Sequence, residues 1–162
     1  FVETIKCLLD TDASLGFVAV IAGEGPLHGL VCGELDQYSN NGRVKMLGFV
    51  ENIDELLGAA DILLLTSKTE GTPMIVLEAM VQHCAIVATN VGGMSDIITH
   101  GKNGFLVNDR TADALSACCE KLLKSPADHH RITNAAKREV LERFSLNSQM
   151  EGYRQRYREC LK

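Results

Sequence analysis

Two carboxylates flank an amide-rich turn in the stretch TSKTEGTPMIVLEAMVQHCAIVAT, residues 66–89. Glu70 falls in a polar loop with Lys68, Gly71 and Pro73, and Glu78 falls in the apolar-periodic segment that follows, whose spacing predicts a helix over 74–81. A helix N-terminus presents unpaired main-chain N–H groups and about half a positive charge, so the turn Gly71-Thr72-Pro73-Met74 suits a phosphate. Gly71 has no side chain to obstruct an incoming anion. Carboxylates beside such a site repel the phosphate, and their better use is to accept hydrogen bonds from hydroxyls, which a sugar or a ribose supplies in vicinal pairs. A phosphate with polyol on either side describes a nucleotide sugar. On spacing alone a plainer alternative stands beside this one: Glu70 caps the helix and Glu78 is a solvated surface residue.

The elements that must hold these groups follow from the pattern around them. The apolar run Asp61-Ile62-Leu63-Leu64-Leu65 reads as a strand buried on both faces, and residues 85–88 read as a second strand closing the unit. In a strand, loop, helix, strand unit a ligand binds beyond the carboxyl end of the strand, against the helix N-terminus. Upstream, Val2, Ile5, Leu8 and Leu9 make one helical face, with Asp12 and Gly16 marking its end. Residues 17–22 form a strand, Gly23-Glu24-Gly25-Pro26 a turn, 27–38 a helix, and 44–47 a strand running into Gly48-Phe49-Val50-Glu51. Asn52 reads as the cap of a short helix over 53–60, with Glu55 completing a capping box. Downstream, Gly92-Gly93 makes a glycine loop that either approaches a ligand or permits a sharp turn. A short helix over 95–99, a tight turn at 101–104 and a strand at 105–107 come next. From Thr111 the pattern is helical almost to the end, over 111–124, 127–143 and 148–160. Five strands alternating with helices predict an α/β domain with a mainly parallel sheet covered on both faces and a helical C-terminal tail.

Composition bounds the partners. The 162 residues make about one domain, large enough to bury roughly 70% of its unfolded surface. A net charge of −5 argues against nucleic acid, and no apolar run approaches a membrane span. The six cysteines show no CxxC spacing and read as free thiols of a reducing compartment rather than as disulfides or zinc ligands. His28, His100, His129 and His130 lack metal-ligand spacing and read as surface residues. Lys68 either contacts a phosphate or, as the plainer reading, is a solvated loop lysine, and the arginines near the end read as a solvated face with pairs such as Glu139 to Arg143. The chain opens without Met or signal peptide, inside a helical pattern, which leads us to expect further sequence before it.

Ser67 to Met80, SKTEGTPMIVLEAM, resembles the signature of the retaining glycosyltransferases of family four, which have the two-domain GT-B architecture. Ala22-Gly23-Glu24-Gly25-Pro26, Val44-Lys45-Met46-Leu47-Gly48-Phe49-Val50, Ala60-Asp61-Ile62, Val87-Ala88-Thr89-Asn90-Val91-Gly92-Gly93, Asn103-Gly104-Phe105-Leu106-Val107 and Arg143-Phe144-Ser145 follow the order and approximate spacing of that family. The resemblance implies that residues 1–162 are a Rossmann-like nucleotide-sugar-binding domain, the C-terminal half of a retaining hexosyltransferase. It places Glu70 against the donor sugar as the catalytic residue and Glu78 on the ribose hydroxyls. Gly71, Thr72, Pro73, Met74 and Ile75 fall against the diphosphate or sugar, and Phe49, Val50 and Glu51 near the nucleobase. The turn Gly23, Glu24, Gly25 joins the donor-binding set, where Glu24 either meets a ribose or serves only the turn.

The resemblance further implies a UDP- or GDP-linked donor and neither a cofactor nor a metal bound through a DxD motif. The acceptor would be a glycan or a lipid-linked glycoconjugate, and the setting cytoplasmic or peripheral to the inner face of a membrane. The family's first strand, its Arg- and Lys-bearing loop and its N-terminal domain have no counterpart in these residues, so the isolated chain is expected to transfer nothing. The sequence departs from the family at His83 and Ala85, where Gly and Pro are usual, and at Asp96, where Glu is usual. His83 is expected in the left-handed cap position. The competing readings are a stand-alone nucleotide-sugar-binding or regulatory module and a GT-B sugar-nucleotide epimerase relative, whose acid and base are not identifiable here.

Overall fold

The computed structural model describes residues 1–11 and 15–161. In chain order the elements are α1 (Val2–Thr11), β1 (Ala19–Ala22), α2 (His28–Ser39), β2 (Val44–Gly48), α3 (Ile53–Ala59), β3 (Ile62–Leu65), α4 (Met74–Val81), β4 (Ala85–Thr89), α5 (Met94–Ile97), β5 (Phe105–Val107), α6 (Ala112–Lys124), α7 (Pro126–Arg143) and α8 (Leu146–Cys160). The helix end expected at Asp12 lies outside the described residues. Helix starts follow their caps where a side chain reaches the backbone. Thr111 accepts from the N–H of Ala114, Ser125 from Asp128 ahead of Pro126, and Ser145 from Ser148. Asn52 departs from expectation. Its side chain makes no cap bond and instead meets Glu55 Oε1 at 3.5 Å, so the capping box does not form.

Every strand pairing is parallel, and the strands fall into two pieces. β1 pairs β2 from Ala19 against Val44 to Ala22 against Gly48, while β3, β4 and β5 pair in that order, with Ile62 against Ala85 and Val87 against Phe105. Helices cover both faces, because β4 alternates its side chains between two cores. Ile86 and Ala88 pack with Val76, Met80 and Met94 on one side, and Ala85 and Val87 pack with Leu8, Leu115 and Cys119 on the other. The second core also holds Ala19 and Val44, so α1 and α6 bind the two pieces together.

β4 is buried at all five positions, as a central parallel strand must be. β3 corrects the sequence expectation: its four residues ILLL are only half-buried. The run is apolar enough for both faces to be covered, but among the described residues β3 has a neighbour on one edge only. β1 is likewise paired on one edge, and Val18 and Val20 are exposed. At the other end of the chain α8 packs on α7 and buries none of its side chains.

Candidate functional site

The connections from β1 to β2, β2 to β3 and β3 to β4 each contain a helix that returns the chain, so the carboxyl ends of these strands share one rim. The loops at that rim carry the residues singled out in the sequence. They meet in two groups.

The first group is the loop from β3 to α4. Thr89 Oγ1, at the end of β4, donates to the carbonyl of Ser67 at 2.7 Å, and the N–H of Gly93 donates to the carbonyl of Gly71 at 3.1 Å. Gly92 lies still closer. A Cβ built on it would fall 1.7 Å from the carbonyl oxygen of Glu70, and one on Gly93 would fall 2.7 Å from that of Gly71. Gly92 also holds φ at +54°, where side chains are disfavoured. The glycine pair therefore serves as a close-fitting bed under Glu70 and Gly71.

α4 begins at Met74 with Pro73 as its N-cap, and among the described residues no side chain bonds its first N–H groups. The structure thus removes the reading in which Glu70 caps this helix. Glu70 sits half-buried in the loop and Glu78 half-buried in the second turn of α4. Among the described residues neither carboxylate has a hydrogen bond or ion pair. Ile75 is half-buried, whereas Gly71, Thr72 and Met74 are exposed, Met74 by 62%.

The second group is formed by the loops after β1 and β2. The N–H of Gly23 donates to the carbonyl of Gly48 at 2.6 Å, and the Cα of Gly48, at φ +64°, faces Glu24. A side chain at Gly48 would touch Glu24 Oε1 at 3.6 Å. Glu24, Gly25 and Glu51 are exposed, Val50 is half-buried, and the ring of Phe49 is 76% exposed at the rim. Among the described residues no hydrogen bond joins this group to the Glu70 loop.

Sequence reasoning missed the support beneath the site. The bed formed by Gly92 and Gly93 had only the glycine doublet as a signal. Arg143 makes the pair with Glu139 that the sequence predicts, but its spacing did not signal the second contact, in which the guanidinium donates to the carbonyl of Asp96 at 2.9 Å and anchors α5. Of the remaining candidates, Lys68 is exposed, and His100 Nδ1 lies 2.7 Å from the carbonyl of Leu106 in a structural contact. His129 is half-buried, with Nε2 2.9 Å from the carbonyl of Asp61. The cysteines are free thiols, and burial pushes Cys84 and Cys119 up to about 12, which leaves them protonated and inert. Among the described residues no three His, Cys, Asp or Glu side chains gather as a metal ion requires, and no helix is long and apolar enough to cross a membrane.

Parallel strands between two helical layers define a Rossmann-like α/β domain. The comparisons with known proteins narrow that class. Residues 8–139 match the family model described as Glycosyl transferases group 1, and the chain belongs to that family. It is 31% identical over 159 residues to N-acetyl-alpha-D-glucosaminyl L-malate synthase of Bacillus anthracis, covering 97% of this chain and 40% of that protein. Among solved structures, HepE of Anabaena in complex with UDP superposes with a TM-score of 0.82 at 22% identity, over 96% of this chain and 44% of HepE. The C-terminal domain of LpcC, a glycosyl transferase group 1 family protein of Francisella tularensis, superposes with a TM-score of 0.79 at 23% identity, covering 90% of this chain and 78% of that domain. The Rossmann-like domain of GT-B type expected from the sequence is therefore present, and the chain spans 40% of the length of its Bacillus relative.

Proposed function

We propose that this chain is the donor-binding portion of a retaining glycosyltransferase, in which the start of α4 binds the diphosphate of a nucleoside diphosphate-sugar. Glu78 accepts hydrogen bonds from the ribose hydroxyls. Glu70 positions the transferred hexose and stabilises charge as the phosphate departs, so the preorganised amides of Gly71, Thr72 and Met74 do most of the electrostatic work. Phe49 offers an exposed ring to the base, and Gly23 to Gly25 approach the donor through main chain. Neither a cofactor nor a metal enters this scheme. The acceptor is a glycan or lipid-linked glycan bound by residues outside this chain, so the chain alone binds donor without transferring it. The setting is the cytoplasm or the inner face of a membrane.

One observation carries the reading. Two half-buried carboxylates with no protein partner among the described residues flank a helix start whose amides have no side-chain cap. Carboxylates that have no protein partner and keep access to solvent are available to accept hydrogen bonds from a ligand's hydroxyls. That the structure of HepE holds UDP supports a uridine diphosphate as the first ligand to try. Titration calorimetry with UDP tests it: Glu78→Gln should weaken binding about tenfold, the loss of one charge-assisted hydrogen bond, with an unchanged melting temperature. Affinity equal to the parent would remove Glu78 from the ribose. In the complete enzyme Glu70→Ala should lower turnover far more than it lowers affinity for free UDP, and equal losses would contradict its place at the sugar.

A further inference from the structure

The chain holds two Asn-Gly pairs, Asn41-Gly42 and Asn103-Gly104, and the fold treats them in opposite ways. An asparagine before glycine can lose its side-chain amide when the glycine nitrogen attacks Cγ, because glycine has no side chain to keep the carboxamide away. Asn103 is barred from this. It is fully buried, its Oδ1 accepts from the N–H of Thr99 at 2.7 Å, and its Nδ2 donates to the carbonyl of Ile97 at 3.0 Å and to Glu139 at 2.9 Å. The carboxamide cannot swing toward Gly104 without breaking all three bonds.

Asn41 stands in the exposed turn between α2 and β2, and Gly42 beside it has open space around its Cα at φ +77°. Asn41 Oδ1 accepts from the N–H of Arg43 at 3.1 Å, which draws electron density away from Cγ. Among the described residues Nδ2 of Asn41 has no partner to hold it. The nitrogen of Gly42 is restrained by one bond, to the carbonyl of Ser39 at 3.0 Å, at the end of α2 where helices fray.

We propose that Asn41 is a site of spontaneous covalent modification, deamidation through a cyclic imide, and that the product loosens the start of the ladder between β1 and β2. The nitrogen of Gly42 forms a bond to Asn41 Cγ as the bond from Cγ to Nδ2 breaks, and the leaving amide takes up the proton of Gly42 and departs as ammonia. Water then opens the ring, with neither oxidant nor cofactor. Attack at Cγ gives aspartate, and attack at the main-chain carbonyl gives isoaspartate, in which the chain continues through Cβ and Cγ. Isoaspartate therefore lengthens the main chain by one carbon just before Gly42 and Arg43.

Arg43 is where that insertion acts. Its N–H donates to the carbonyl of Tyr38 at 2.9 Å, and its own carbonyl accepts from Ala19 at 2.9 Å, the first bond between the two strands. Its guanidinium donates to the carbonyl of Leu15 at 2.8 Å and to that of Phe17 at 3.2 Å, and lies 5.1 Å from the centre of the Phe17 ring. The residue that fastens the entry to β1 is thus the one that the modification displaces. None of these groups lies in the donor site, so the inference holds whether or not UDP binds.

Incubation of the chain at mildly alkaline pH, followed by peptide mapping in a mass spectrometer, tests it. Conversion of amide to acid should appear at Asn41 at least about tenfold faster than at Asn103, which must first be freed from three buried hydrogen bonds. In urea strong enough to unfold the chain the two rates should converge, and Asn41→Gln should remove the faster signal. The deamidated fraction, isolated by ion exchange and shown by fragmentation to contain isoaspartate, should melt several degrees below the parent. Asn41→Asp carries the same charge on a main chain of normal length and should melt with the parent. Equal rates at Asn41 and Asn103 in the folded chain would overturn the inference, as would an Asn41 that stays intact when folded and reacts only in urea. An isoaspartate form that melts with the parent, or an Asn41→Asp variant that falls as far, would overturn the part assigned to Arg43.

Discussion

The N–H of Gly93 donates to the carbonyl oxygen of Gly71 at 3.1 Å, tying the loop after β4 to the loop that carries Glu70. The bond forms because Gly92, one residue earlier, turns at φ +54° and lets its own Cα come under the Glu70 carbonyl. The position of Glu70 is thus set from a loop that bears no reactive group of its own. This is how a fold holds a candidate site residue without a side-chain contact to it.

A methyl group at position 92 should therefore act on Glu70. Gly92→Ala places a Cβ 1.7 Å from the Glu70 carbonyl oxygen, in a backbone conformation that costs an L-residue about 1–2 kcal/mol. One of the two loops must move. The expected outcome is a stability loss of about 2–4 kcal/mol in urea unfolding, together with weaker UDP binding in whatever fraction folds. Stability and binding equal to the parent would show that the two loops do not pack as described.

His83 offers the opposite case, a strained residue whose relief should stabilise. It follows α4 at φ +61°, and the N–H of Cys84 closes the helix end by donating to the carbonyl of Ala79 at 2.9 Å. The imidazole accepts only an exposed contact from Lys137, Nζ to Nε2 at 3.0 Å, which is worth little. His83→Gly should raise stability by about 1 kcal/mol, measured as a higher urea midpoint with unchanged slope. A drop would mean that the Lys137 contact outweighs the backbone strain.

The left-handed conformation of His83 was legible because His83 stands where the family that the sequence resembles usually has Gly at the helix end. The strand, loop, helix unit around Glu70 was legible because its periodicity switches from strand to helix across a Gly and a Pro. Contacts made between loops were not. The bed under Glu70 joins residues 70–71 to 92–93, and no local pattern encodes that distance of approach. The half-burial of Ile62 to Leu65 escaped for a related reason. An apolar run reports what a strand tolerates on its faces, whereas its actual cover depends on whether a neighbour occupies its edge. Asn52 failed differently, since its pattern with Glu55 fits a capping box but the two side chains turn toward each other.

Glu139 of α7 gives a pH dependence that can be read from its partners. Its carboxylate, 13% exposed, accepts from Asn103 Nδ2 at 2.9 Å, from Lys102 Nζ at 3.3 Å and from Arg143. Asn103 is fully buried and also bonds the carbonyl of Ile97 and the N–H of Thr99, so Glu139 secures the turn before β5. Burial alone pushes this carboxyl up, but the hydrogen bonds from Arg143 and Lys102 outweigh it and hold the group below its ordinary range. A carboxyl with a lowered folded pKa contributes stability that is fully present above its unfolded value of about 4.3 and is lost as pH falls through the folded value. Glu139→Gln should cost about 1–3 kcal/mol at pH 7. The gap between parent and variant should stay constant down to about pH 5 and close progressively below pH 4, when the parent's carboxyl is itself neutralised. Urea unfolding of both proteins from pH 7 to pH 3 measures it, and a gap of the same size throughout would show that the charge on Glu139 does not hold the turn.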